Sequence, residues 1–258
     1  MANPKERCMS LQGRVLTIGA MALLAIPTAV AQYGGAAVAM LNSDDAGIVL
    51  GQPCFAIFRI TDMPPAGNGA RATTIKVERK WRDSQGRFRM ETGRVAEGQD
   101  PVFQVATILD PVKNTITTIH MDTKTASIVA LQPGQLHAWA DRDAKPLLAM
   151  PGVDVKVEHL PGKTIDGVIA LGRRVTRTRP PGTVGNDKTI VSVSESWVAE
   201  DLKILLASSM DDPRTGKQTG EVMHLERAEP DANLFQVPAG YTVTEAEGRP
   251  MQQVVVHR

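Results

Sequence analysis

Two stretches of alternating residues dominate the middle of the chain. From Gly167 to Thr178, and again from Lys188 to Val198, Val, Ile and Thr are interleaved with polar residues at a period of two. That period sends successive side chains to opposite faces and predicts two half-buried β-strands. Between them, Arg179 to Asp187 holds Pro180, Pro181, Gly182 and Gly185, which remove backbone donors or accept positive φ, so neither helix nor ladder continues through it. In the second strand Val191, Val193 and Trp197 share a face with Glu195. In the first, Ile169, Leu171 and Val175 share a face with Arg173 and Arg177. Both apolar faces read as core-facing, which makes Glu195 the expected partner of Arg173 or Arg177 in a structural ion pair, because an unpaired charge there would be costly.

The same period recurs on either side. Cys54 to Thr61 (CFAIFRIT) is an apolar strand, and in Ala72 to Arg82 the residues Ile75, Val77 and Trp81 alternate with charged ones. Asp83-Ser84-Gln85-Gly86 is a turn that returns the chain through Arg87 to Thr92. Val102 to Leu109, Thr115 to Met121 and Ala126 to Leu131, separated by short Asp-containing turns, form a meander. Between Pro133 and Pro151 the apolar residues from Leu136 to Leu148 fall at helical spacing and predict a short helix or lid. Strand character resumes at Val153 to His159 and, after the central pair, at Lys203 to Met210 and Gly220 to Glu226. The chain is thus expected to be mainly β, a large antiparallel sheet of about eleven strands with one or two short helices.

The N-terminus changes the picture of where this sheet works. Lys5, Arg7 and Arg14 precede an apolar run, Val15 to Val30, that closes on Ala29-Val30-Ala31. This is the charged, apolar and small-x-small order of a cleavable export signal, with cleavage expected after Ala31 and no transmembrane segment thereafter. The expected organisation is a signal peptide over 1–31, a lead-in over 32–50, one β-rich domain over 51–243 and a tail over 244–258. Cys8 leaves with the signal, so Cys54 stands alone, and the location is expected to be periplasmic.

Of the 29 basic and 28 acidic side chains, removal of the signal takes Lys5, Arg7, Arg14 and Glu6, leaving a net charge of −1. Nucleic-acid binding, which needs a basic footprint, is not expected. Arg71 to Arg94 is locally basic, which fits either an anionic partner or an ordinary solvated sheet face.

Four strings are familiar: WRDSQGRFR (Trp81 to Arg89), the central pair with its loop, SSMDDPRTG (Ser208 to Gly216) and PDANLFQVPAGY (Pro230 to Tyr241). Together they resemble a group of uncharacterised exported bacterial β-rich proteins. The last string also resembles the end of periplasmic half-open β-barrel proteins related to the lipoprotein carriers of the Lol pathway. The resemblance implies a curved sheet, a half-open β-barrel, wrapped around an apolar cavity that takes acyl chains or hydrophobic peptides. No residue here matches an acyl-binding motif, so no ligand-binding residue is assigned from it.

No catalytic motif, metal-ligand spacing or cofactor loop is present; His224-x-Glu226 is the nearest approach to a ligand pair, and two side chains are too few. The expected function is therefore non-enzymatic binding of a lipid-like or other apolar ligand in the concavity, without a cofactor. The alternative is an envelope structural or interaction module with a filled core, docking another protein through the loop Arg179, Pro180, Pro181, Gly182 and Asp187.

Overall fold

The computed structural model describes residues 48–65, 72–96, 98–131 and 152–247. The export signal, the predicted helix over 136–148, most of the lead-in and the end of the tail lie outside the described residues. Alternation becomes strand wherever it was expected: β1 (Cys54–Met63), β2 (Thr74–Arg82), β3 (Phe88–Val95), β4 (Val102–Asp110), β5 (Thr115–His120), β6 (Thr125–Ala130), β7 (Asp154–Ile165), β8 (Val168–Arg179), β9 (Ile190–Ala199), β10 (Leu205–Asp212) and β11 (Gly216–Glu226). A twelfth strand, β12 (Thr242–Glu247), was not expected and carries the sheet past residue 243.

All twelve form one open curved sheet in the order β12-β6-β5-β4-β3-β2-β1-β11-β10-β9-β8-β7. Every pairing is antiparallel except β12 with β6, so the sheet is mixed rather than purely antiparallel. That exception follows from connectivity. After β11, beside β1, the chain crosses one face of the sheet and arrives alongside β6 running in the same direction.

The crossing stretch, 227–241, is held from below by named contacts. Ser84 N–H donates to the Glu229 carboxylate at 3.2 Å, and Arg89 Nη1 donates to the Leu234 carbonyl at 2.8 Å. Ala232–Phe235 forms a 3-10 turn whose first residues are capped by Asp231, its carboxylate accepting from Asn233 N–H at 2.9 Å. This turn drives Phe235, 3% exposed, into a cluster with Ala106, Ile108, Ile119 and Ala126. Phe235 is thus the apolar anchor of the familiar PDANLFQVPAGY string. We call the crossed face outer and the opposite one inner.

Candidate functional site

The β8–β9 hairpin decides what the inner face carries. Its last pair is Arg179 with Ile190, so odd-numbered residues of β8 oppose even-numbered residues of β9: Arg173 with Ser196, Val175 with Ser194, Arg177 with Ser192. The two apolar sets read as a shared core therefore lie on opposite faces. The expected ion pair between Glu195 and Arg173 or Arg177 does not form. Glu195 instead opposes Arg174 on the outer face, its carboxylate accepting from Arg174 Nε at 2.7 Å in a pair that is partly open to water.

On β7 to β10 the inner face holds Val157, Arg173, Val175, Arg177 and Arg179, then Ser192, Ser194 and Ser196, then Ser208, Met210 and Asp212. Val175, Arg179, Ser192, Ser196 and Asp212 are buried. Three serines occupy the middle of the inner side of β9, flanked on that face by Ile190 and the buried Val198. Further along, Gly220 of β11 lets the Phe58 ring lie across the sheet: a Cβ at Gly220 would come 2.5 Å from Phe58 Cε1. On the far side of β1 the inner face becomes apolar towards one end, where Phe88, Met90, Leu109, Ile116 and Leu131 cluster.

The arginines differ in their partners. Arg179, expected to begin an interaction loop, is the last residue of β8; its Nη1 donates to Ser192 Oγ at 2.9 Å and lies 3.9 Å from Asp212. Asp212 is already engaged by Arg214, whose Nη2 lies 2.7 Å away. The Arg214 hydrogen bond, outweighing burial and helped by the nearby Arg179 charge, holds the Asp212 carboxyl below the usual carboxylate range. Arg179 Nε is buried with no hydrogen-bond partner among the described residues. Arg177 makes no recorded ion pair or hydrogen bond among them, and burial, followed by the charges of Arg179 and Arg173, lowers its pKa. The signal for this row was in the sequence: arginines at i, i+4 and i+6 on a period-two strand must share a face.

The remaining stretch of the proposed interaction loop is built around one side chain. Asn186 Nδ2 donates to the carbonyls of Pro180 at 2.9 Å and Lys188 at 2.7 Å, and its Oδ1 accepts from Val184 N–H at 3.0 Å. Pro180, Pro181, Gly182 and Asp187 are exposed around it. On the outer face, Phe235, Val237, Val243 and Glu245 border a cleft of about 840 Å³ floored by Thr117 and Ile128. His224 and Glu226 stand 3.8 Å apart and exposed, and no group of three or more metal-ligating side chains occurs among the described residues. No helix among them is long and apolar enough to cross a membrane.

No protein-family model matches the chain, and no curated protein matches it. Several solved structures are similar to it in fold, at low identity. They include MucB in complex with MucA, at 14% identity, covering 81% of this chain and 61% of that one with a TM-score of 0.39. A LolA superfamily protein from Nitrosomonas europaea aligns at 7% identity over 78% of this chain and 97% of its own, TM-score 0.33. Lipoprotein LppX of Mycobacterium tuberculosis aligns at 14% identity over 70% and 89%, TM-score 0.27. The chain thus spans under two thirds of the MucB structure.

Proposed function

We propose that this protein is an exported, non-enzymatic half-barrel that holds a lipid-like or other apolar molecule against its inner face. The observation that carries the reading is where large apolar side chains are left open to water. On the inner face of β7, β8 and β10, Val157 is 43% exposed, Ile169 59%, Leu171 48% and Met210 37%, although buried side chains such as Val175 lie between them on the same face. A chain that excludes water from Val175 yet leaves these four uncovered offers apolar surface to a ligand, which supports the reading. The export signal read from Lys5 to Ala31 suits a periplasmic carrier.

The test is native mass spectrometry of protein purified without detergent, followed by solvent extraction and lipid analysis. A stoichiometric co-purifying lipid, or binding of added fatty acids or phospholipids, is the expected result. If neither is seen, the carrier reading is abandoned.

A further inference from the structure

The inner face presents more than apolar surface. Along β8 its residues run Ile169, Leu171, Arg173, Val175, Arg177, Arg179, from exposed aliphatic to cationic. Arg177 sits between Arg173 and Arg179, and burial, then the charges of Arg179 and Arg173, lower its pKa. Against Arg177 and Arg179 the carboxylate recorded among the described residues is Asp212, at 3.9 Å from Arg179, and Arg214 holds it at 2.7 Å. The facing positions on β9 supply Ser192 and Ser194, which are neutral. A shielded cluster of like charges costs free energy unless an anion compensates it. Planar guanidiniums at alternating strand positions, with a serine hydroxyl beside them, match the oxygens of a phosphate or carboxylate.

We propose that the row centred on Arg177 and Arg179 is the head-group subsite for an anionic amphiphile whose apolar chain lies along Leu171 and Ile169. The inference rests on the carrier reading and adds the ligand's charge and orientation. Phosphate ester and carboxylate share the required oxyanion, and comparing the two identifies which source is used. The unpaired Nε of Arg179 is the donor such a head group would satisfy.

Isothermal titration of the purified full chain with decyl phosphate, decanoate and decanol tests this. The wild type is expected to bind at least one of the two anions about tenfold or more tighter than decanol, the strength of a hydrogen bond to a charged group. Arg177→Gln should bring that anion to within about threefold of decanol, while Arg177→Lys retains most of the preference. In the ligand-free state Arg177→Gln should also raise Tm by about 2 °C or more, because it removes a repelled, half-buried charge. A fall in Tm instead would make Arg177 a structural residue and overturn the assignment. Equal binding of decanol and both anions by the wild type would overturn the head-group subsite but leave the carrier reading standing. If none of the three binds, both readings fall.

Discussion

Gly216 offers the sharpest test of how β1 and β11 are held together. It opens β11 with φ +96°, opposite Asp212 across the β10–β11 turn, and a Cβ there would lie 2.7 Å from Pro64 C and Pro65 N while overlapping the Met63 carbonyl oxygen. Two separable costs follow for Gly216→Ala. The positive φ costs an L-residue about 1–2 kcal/mol. The collision is with backbone, which cannot rotate away as a side chain can, so Met63 must draw back from its partner Lys217, at a cost of about 1–3 kcal/mol by analogy with overpacked cores. Gly240→Ala isolates the first cost, since Gly240 has φ +83° and nothing within 4 Å of a built Cβ. Urea unfolding followed by tryptophan fluorescence should place Gly216→Ala about 2–5 kcal/mol below the wild type and Gly240→Ala about 1–2 kcal/mol below it. Thermal melts should fall by roughly 4–20 °C and 2–8 °C respectively. If the two variants come out within about 0.5 kcal/mol of each other, the collision argument is wrong and β1 yields freely at Met63.

Charge burial separates two carboxylates that look alike in the sequence. Glu91, 9% exposed at its side chain, accepts from Arg89 Nε at 3.0 Å and Nη2 at 2.7 Å, so Glu91→Gln leaves a buried guanidinium uncompensated and should cost about 3–5 kcal/mol. Glu195→Gln, which breaks a more open pair with Arg174, should cost under about 1 kcal/mol; urea titration of both variants checks the contrast. Asn186→Ala removes the polar contacts to the Arg179, Pro180 and Lys188 carbonyls and to Val184 N–H that shape 180–188, and should speed proteolysis within that loop, with a stability loss of about 1–3 kcal/mol. Resistance equal to the wild type would show the loop is held by something else. Because the Asp212 carboxyl is depressed in the folded state, chiefly by Arg214, its contribution is present above the unfolded carboxylate value of about 3.9 and fades as pH falls through the folded value. Asp212→Asn should therefore lose stability at pH 7 and show a shallower acid limb in melts between roughly pH 5 and 2.

Eleven of the twelve strands among the described residues were legible because period-two alternation and Gly/Pro punctuation are local signals. β12 was not. Thr242 to Glu247 reads TVTEAE, a short segment with two carboxylates whose strand identity comes from a parallel partner more than a hundred residues away, Thr125 to Ala130. The face of each β8 and β9 residue was equally out of reach. Alternation tells which residues share a face within one strand, but the relation between two strands depends on the register across residues 180–189. A shift of one residue would have put Glu195 beside Arg173 and Arg177 as expected. Here the register sets Ser192, Ser194 and Ser196 beside the arginines instead.

That single parity has consequences for what the sheet can do. With Glu195 on the inner face, the arginine row would be neutralised and β8–β9 would be a closed, self-satisfied hairpin. With Glu195 on the outer face, its charge is spent on Arg174 near solvent, and the inner face keeps Arg177 and Arg179 facing small hydroxyls. Nearby, Gly220 leaves room for the Phe58 ring to lie flat, where a branched residue would lift it. Midway along β8, β9 and β11 the inner face thus sets three serines and a glycine, which contribute little packing, beside the arginines. Strand-forming aliphatics at those positions would give a more stable sheet with no reason for Leu171 and Ile169 to remain uncovered. On the carrier proposal, an anionic amphiphile laid along this strand, cationic at one end and apolar at the other, restores on binding the stability the empty surface lacks.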